Sequence, residues 1–249
     1  MNILILSAFP EEQDYYKKTL RPHATLKIGF IDVISCQADS ASIYLATTGI
    51  GTINAALVLA TLAAHLKPDA VFFSGTAGAI DPQLNIGDVV VGQDAFDADI
   101  LSVHDAVIGT PFEGALVNPN KKEKTPPVYS SNASLLKIAT ISHGSQYSLF
   151  HGRVATSNHF PAPKELFEQI KANNAMIIDM ESTAIYQFGW LTQLPVLVVR
   201  AVSNKLNAQG TDDEIDRSDI KSSDHAAKQV LHCIETLTSQ TTPVAGFVD

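Results

Sequence analysis

The sequence predicts an α/β protein, a single domain over residues 1–249 with a mixed central β-sheet and helices on both of its faces. Three observations predict it. Short β-branched runs alternate with helical stretches along the whole chain, the pattern of strands joined by crossover helices. Those runs are too apolar for a sheet with one solvated face. Between Leu26 and Thr47, three runs follow each other at the short spacing of an antiparallel meander, which makes the sheet mixed.

Asn2 to Ala8 reads as a buried central strand, and Glu11 to Leu20 as the helix it opens into. The meander occupies Leu26–Ile31, Val33–Gln37 and Ile43–Thr47. Thr52 to Leu66, rich in Ala and Leu, is a strong helix that follows the turn Gly49-Ile50-Gly51 and is stopped by Lys67-Pro68. Ala70–Ser74 is a buried strand that runs into Gly75-Thr76-Ala77-Gly78, either a plain tight turn or a place where a ligand approaches the backbone. Asp88–Gly92 is another strand. From Val103 to Ser131 the chain carries Pro111, Pro119, Pro126 and Pro127 with Lys121-Lys122-Glu123-Lys124, the one long loop. A helix near Ala133–Ile141, a strand near Tyr147–Thr156 and a helix at Lys164–Ala172 follow. Met176–Met180 is a strand leading into the helix Ser182–Leu191. Leu194–Val202 is the last apolar strand, before an acidic loop, Asn204–Lys221, and a C-terminal helix from Ser223 to about Leu237. No internal repeat or low-complexity linker interrupts this order.

Composition narrows the function classes. The chain has 249 residues, 45% of them apolar and 17% charged, which fits a buried core and not a disordered chain. With 17 basic and 26 acidic side chains the formal charge is −9, and no Lys/Arg run is longer than Lys121-Lys122. Phosphate-backbone binding needs clustered cations, so nucleic acid and anionic membrane surfaces are poor partners. Two cysteines, Cys36 and Cys233, read as buried free thiols. The apolar start has no cationic leader, and Ile53–Ala64, about a dozen residues, is too short to span a bilayer. A cytoplasmic protein is expected.

Three places combine a strand end, small residues and a polar side chain, where ligands bind in such sheets. In Ser7-Ala8-Phe9-Pro10-Glu11-Glu12 a carboxylate sits where strand becomes helix, either as a helix-terminus charge or as a general base. The glycines of Gly75-Thr76-Ala77-Gly78 let a ligand approach the backbone. Ile177-Ile178-Asp179-Met180-Glu181-Ser182 and Val198-Val199-Arg200-Ala201-Val202-Ser203-Asn204 put charges at the ends of apolar strands. Burying those is costly without a partner, so Glu181 and Arg200 form either a structural ion pair or a sugar-binding carboxylate with its orienting arginine. The eight histidines lack metal-ligand spacing. Asp212, Asp213, Glu214, Asp216 and Asp219 read as a solvated loop, His225 and His232 as surface or core residues, and Trp190 as a core or interface aromatic.

Together with Thr48-Gly49-Ile50-Gly51, Lys67-Pro68-Asp69, Asn85-Ile86-Gly87-Asp88-Val89-Val90, Asp97-Ala98-Asp99 and Met180-Glu181-Ser182-Thr183-Ala184, these segments carry a resemblance across nearly the whole chain. The sequence resembles the purine nucleoside phosphorylase/uridine phosphorylase superfamily, and most of all its hydrolase branch, the 5′-methylthioadenosine/S-adenosylhomocysteine nucleosidases. The resemblance implies a cofactor-free enzyme without metal that cleaves the N-ribosidic bond of a small purine nucleoside, working as a homodimer. The Ile50 region and the 100–110 segment would lie near the partner's site.

The resemblance also assigns residues. Glu12 would activate the attacking water. Met180 and Glu181 would hold the ribose, Arg200 and Ser203 would support the water and the acid position, Ala77 and Gly78 would line the base pocket, and Phe160 would stack on the purine. Ala8, Ile50, Thr76 and Pro161 complete the implied substrate-binding set. Two positions depart from the adenine-specific pattern. Where those nucleosidases place an Asp that protonates N7 of the leaving adenine, this chain has Asn204, whose amide donates a hydrogen bond but cannot surrender a proton. Branches acting on 6-oxopurines resemble this chain in placing Asn there. Pro161 lacks the N–H with which the adenine-specific enzymes contact the base edge. An inosine- or futalosine-type hydrolase or phosphorylase, or a nucleoside-binding or storage protein without turnover, are therefore the alternatives. Family phosphorylases bring arginines to their phosphate from the N-terminal loop and from the strand before the Gly-Thr segment. Here those places hold Phe9-Pro10-Glu11-Glu12 and Phe73-Ser74, so water is the expected nucleophile.

Overall fold

A computed structural model describes residues 1–38, 41–100, 116–118, 123–124, 128–141, 146–207, 211–215 and 221–241. Along the chain, β1 (Asn2–Ser7) leads through a 3-10 turn (Pro10–Gln13) into α1 (Asp14–Thr19), and the meander β2 (Pro22–Ile28), β3 (Ile31–Ala38) and β4 (Ala41–Thr47) follows. Next come α2 (Thr52–Leu66), β5 (Ala70–Ala79), β6 (Val89–Asp97) and the short strands β7 (Leu116–Asn118), β8 (Glu123–Lys124) and β9 (Tyr129–Ser130). The rest of the chain forms α3 (Ala133–Ile141), β10 (Leu149–Thr156), α4 (Lys164–Ala172), β11 (Ala175–Asp179), α5 (Ser182–Thr192), β12 (Val196–Leu206), β13 (Asp212–Ile215) and α6 (Ser222–Thr241).

The expected mixed sheet is present, with strand order β13-β12-β6-β10-β11-β5-β1-β4-β3-β2. One feature goes beyond the expectation. β12 pairs with β5 in parallel as well as with β6 antiparallel, and β11 meets β5 antiparallel at Ile177–Ala79 and Ile178–Gly78. The strands β5, β12, β6, β10 and β11 therefore close on themselves into a ring, while β1, β4, β3 and β2 extend from it as an open wing. Closure removes the edge that β11 would otherwise expose.

Away from the largely exposed β2, both faces of the sheet are covered, and the period of two sorts the side chains between them. Leu4, Leu6, Val71, Phe73, Val196 and Val198 pack on the side of α2 and α5, against Val58, Leu59, Leu62 and Ile185. Their neighbours Ile3, Ile5, Ala70, Phe72, Leu197 and Val199 pack on the other side, against Tyr16, Leu135, Ile138, Val230 and Ile234 of α1, α3 and α6. This is why the strands read as continuous apolar runs. A third cluster seats α4, through Phe167 and Ile170, on Phe96, Ala155 and Ile178. Cys36 and Cys233 are buried free thiols, as expected.

The helix Thr52–Leu66 forms over its expected span and stops where Lys67 turns left-handed at φ 46° before Pro68. Three expectations are corrected. Gly75-Thr76-Ala77-Gly78 is not a turn: β5 continues through it to Ala79, because β12 pairs with it over its length. The helix expected from Glu11 begins as a 3-10 turn and becomes α-helical only at Asp14. The acidic segment after Asn204 is not all loop, since Asp212–Ile215 is a strand paired antiparallel with β12. Most of the proline-bearing 103–131 segment, the 100–110 stretch from 101 on, and Asp216 and Asp219 lie outside the described residues. Trp190 packs on Tyr129 with ring centroids 5.7 Å apart, and His225 meets the Gly87 carbonyl at 2.7 Å, both in structural roles. No helix among the described residues is long and apolar enough to cross a membrane.

Candidate active site

The carboxyl ends of β1, β5, β11 and β12 converge on a cavity of about 280 Å³, room for one small ligand. Of the residues singled out in the sequence, Ala8, Glu12, Ile50, Thr76, Ala77, Gly78, Phe160, Met180, Glu181, Arg200, Ser203 and Asn204 line it. Pro161, the exposed residue after Phe160, does not. Phe9, Ser157, His159, Ile178 and Asp179 line the cavity as well.

Glu12 enters from the 3-10 turn after β1 and is held by four donors. Its Oε2 accepts from the backbone N–H groups of Ala8 (3.0 Å) and Phe9 (3.2 Å), and its Oε1 from the Thr76 N–H (2.8 Å) and hydroxyl (3.1 Å). Gly75 is what permits this. A Cβ there would lie 2.5 Å from Glu12 Oε1 and 2.7 Å from Arg200 Nη1, so any side chain at 75 would displace both. The glycine that reads as a ligand's approach serves the approach of two charged side chains instead.

Arg200, 1% exposed, stands on β12 beside Gly75, with its guanidinium carbon 4.3 Å from the centroid of the Phe73 ring. Its Nε and Nη2 donate to Asp179 Oδ2 at 2.9 and 2.6 Å, and Nη2 also donates to Glu181 Oε2 at 2.9 Å. Burial works against its charge, but the Asp179 and Glu181 carboxylates outweigh that and raise its pKa further. The expected Glu181–Arg200 pair therefore exists, and the residue the sequence reading passed over is Asp179, the hub beneath it. Asp179 also accepts from Thr156 Oγ1 (2.9 Å), from the Ser182 hydroxyl, and from the Ser182 backbone N–H (3.2 Å) at the start of α5. An acid ending the apolar run Ile177-Ile178 was the available signal, because such an acid needs a cation or a helix terminus.

Glu181 Oε1 accepts from the Gly51 N–H at 2.9 Å, which ties the site to the start of α2. Gly51 sits at φ 95°, a conformation that side chains other than glycine rarely adopt, so its amide can face the carboxylate. Burial raises the Glu181 pKa, Arg200 opposes the rise and Asp179 adds to it.

The opposite end of the cavity is built differently. Ser203 and Asn204 are adjacent on β12, where successive side chains normally point apart, yet both line the cavity. The register with β5 slips between Val202 and Asn204, and this bulge re-aims Ser203. Phe160 and Phe9 flank the opening, 63% and 43% exposed. The segment that carries Phe160 is anchored through Asp99, which accepts from Ser157 Oγ (2.6 Å), the Asn158 N–H (2.8 Å) and His159 Nδ1 (3.2 Å). Burial disfavours the Asp99 charge, but these bonds outweigh it and hold its pKa below the usual carboxylate value.

Chemically, the cavity offers three carboxylates (Glu12, Asp179 and Glu181) against one buried guanidinium, an excess of negative charge. Such a field attracts a cation-like group and repels an anion. At the other end are an amide, a hydroxyl and exposed aromatics, which suit a flat heteroaromatic ring. Among the described residues no cluster of three or more His, Cys, Asp or Glu side chains is placed to hold a metal ion.

Known proteins resemble this chain over most of its length. A 5′-methylthioadenosine/S-adenosylhomocysteine nucleosidase of Staphylococcus aureus strain JH9 is 28% identical over 209 residues, spanning 82% of this chain and 87% of its own. The solved structure of a 5′-methylthioadenosine/S-adenosylhomocysteine nucleosidase from S. pneumoniae, bound to the transition-state inhibitor MT-ImmA, superposes with a TM-score of 0.78 at 26% identity, covering 95% of this chain and 100% of that one. The futalosine hydrolase of Helicobacter pylori shares the fold, with a TM-score of 0.77 at 20% identity over 94% of this chain and 97% of that one. The Phosphorylase superfamily model matches residues 2–238, and with that the chain belongs to the phosphorylase superfamily.

Proposed function

We propose that this chain is a nucleosidase that hydrolyses the N-ribosidic bond of purine nucleosides of the 5′-methylthioadenosine/S-adenosylhomocysteine type. The observation that carries the reading is the convergence of three carboxylates and one guanidinium on a single cavity at the strand ends. Breaking a ribosyl N–C bond leaves the sugar cation-like and the departing base electron-rich. The negative excess stabilises the first, and hydrogen-bond donors at the far end stabilise the second.

In this reading Glu181 accepts from the 2′- and 3′-hydroxyls while Met180 packs under the ribose, and Arg200 fixes the carboxylate between Asp179 and the sugar. Glu12 takes the proton of the attacking water. Its two oxygens already receive four donors, and the Thr76 hydroxyl is the one of these that can rotate away to leave a lone pair for that water. Ala8, Thr76, Ala77 and Gly78 shape the wall, Phe160 stacks on the base, and Ser203 and Asn204 face its edge. An incoming phosphate would meet Glu12 and the negative excess, which supports water as the nucleophile.

A second reading is favoured by one position. Asn204 donates hydrogen bonds without surrendering a proton, which suits a 6-oxopurine nucleoside, inosine- or futalosine-like, cleaved by hydrolysis or phosphorolysis. The one domain is proposed to act as a cytoplasmic homodimer. Ile50, Ile53 and Leu57 around the start of α2 are exposed apolar side chains, Ile53 at 81%, and suit a self-association surface.

The test is base release from methylthioadenosine, S-adenosylhomocysteine, adenosine and inosine, with and without phosphate, by wild type and Glu12→Gln. Hydrolysis without phosphate is expected, reduced on the order of 10²–10⁴-fold in Glu12→Gln because an amide takes no proton. A variant as active as wild type overturns the mechanism. Phosphate-dependent release favours the phosphorylase, and nucleoside binding without release favours the storage protein.

A further inference from the structure

Asn204 is clamped from three sides. Its Nδ2 donates to Asp212 Oδ1 at 2.6 Å, and its Oδ1 accepts from the Ser203 hydroxyl at 2.9 Å. Its register partner across β5 is Gly78, where a Cβ would lie 3.1 Å from Nδ2. A carboxylate only accepts hydrogen bonds, so the amide nitrogen, not the carbonyl, must face Asp212, and the carbonyl must then face Ser203. Asp212 reaches Asn204 because β13 folds back on β12 through a register shift at Lys205–Leu206 that sets Asp212 opposite Leu206. Asn207 closes the hairpin, its N–H donating to the Thr211 carbonyl at 2.9 Å and its side-chain amide to Thr211 Oγ1 at 2.7 Å. The acid that reads as part of a solvated loop thus touches the cavity's base end through one side chain.

The geometry points to Asp212 as a positioning residue for base recognition. By holding one N–H of Asn204, it pins the amide in one of its two flips and leaves one N–H and one carbonyl lone pair for the purine edge. Unpinned, an asparagine amide can rotate by half a turn and offer the opposite polarity at each place. The pinned amide gives a donor of fixed position to purine N7 as charge gathers on the leaving base, and it gives no proton. This inference rests on the proposed nucleosidase reading. It adds to it which residue decides the polarity of the base pocket.

The test is a double-mutant cycle, read by calorimetric affinity for free adenine and free hypoxanthine and by base release from methylthioadenosine and inosine. Asp212 is exposed, so Asp212→Ala and Asp212→Asn should unfold like wild type, checked by thermal melts. Asp212→Ala is expected to weaken the better-bound free base roughly five- to tenfold, as expected for one mispresented hydrogen bond. In an Asn204→Ala background the same change should be silent to within about twofold, because the effect runs through the amide. Asp212→Asn, which bonds the amide in either flip, should fall between. Equal losses in both backgrounds would place the effect in the hairpin and overturn the inference. So would an Asp212→Asn variant as good as wild type. A wild type that cleaves nucleosides while Asp212→Ala binds base unchanged overturns this inference alone. A wild type that neither binds base nor cleaves any nucleoside overturns the nucleosidase reading and this inference with it.

Discussion

In the proposed reading the cavity has a sugar end and a base end, and the two hold their polar groups in opposite ways. At the sugar end Arg200, Asp179 and Glu181 are 1%, 6% and 4% exposed, and each is bonded to at least two others of the site or the helix starts. At the base end Phe160 is 63% exposed, and Asn204 takes its orientation from an exposed acid on a short hairpin. Charges away from water act strongly on one another, while those near water are screened. The difference teaches where each property of the enzyme resides. In the proposed reading, bond-breaking chemistry depends on a network whose loss would also cost stability, whereas the choice of base depends on groups that can change with little cost to the fold.

The sharpest way to break that contrast is Arg200→Ala. It leaves Asp179 and Glu181 as uncompensated buried carboxylates, and a destabilisation of about 3–5 kcal/mol is expected from removing one member of such a network. Denaturant unfolding measures it. A loss below about 1 kcal/mol would mean that water reaches the carboxylates readily and that the sugar end is no more rigid than the base end.

A smaller effect distinguishes Glu181 from its neighbours. Burial raises its pKa above the ordinary glutamate value of 4.5, with Arg200 opposing and Asp179 reinforcing. In the proposed reading the ribose hydroxyls donate to the ionised form, so activity is lost as pH falls through that raised value. The acid limb of kcat/KM therefore lies above pH 4.5. Glu181→Gln should move the limb to lower pH and cost roughly 1.5–3 kcal/mol of substrate binding on the plateau. A limb unmoved by the substitution would assign the titration to another group.

How much of this was legible before the structure follows the same division. The apolar strands, the helix Thr52–Leu66 and the antiparallel meander are written in local periodicity and appear within a few residues of where the sequence puts them. The acids and the arginine at strand ends were legible because a buried charge advertises its need for a partner. Asp179 was passed over because two acids, Asp179 and Glu181, compete for one arginine, and only the fold shows that both are taken. The ring closure was illegible, since β11 and β5 meet at two residue pairs that no local pattern marks. Gly75–Gly78 reads as a turn because glycine punctuates most strands, and here β12 overrides that propensity. Asp212 hid in a run of acids whose average meaning is solvation.

The smallest effect concerns the base end itself. Asn204→Asp restores a carboxyl at the position where the adenine-specific relatives of the resemblance carry one, and it places that carboxyl against Asp212, which the native amide meets at 2.6 Å. Two carboxylates so close cannot both ionise freely, so the pair retains a proton to higher pH than either acid would alone. That shared proton is the one N7 of a departing adenine requires. Turnover of methylthioadenosine should rise roughly tenfold at neutral pH, the low end of what a general acid contributes, and should fall again as the pair loses its proton on the alkaline side. Inosine cleavage should drop, because a carboxyl pair sharing one proton has too few donors to meet both N7 and O6 of a 6-oxopurine. Asp212→Asn in the same background removes the second charge, so the alkaline limb should move to lower pH. A rise on methylthioadenosine with no change in that limb would mean that the new acid works without Asp212. The base end would then be as self-sufficient as the sugar end, and the contrast between them would rest on burial alone.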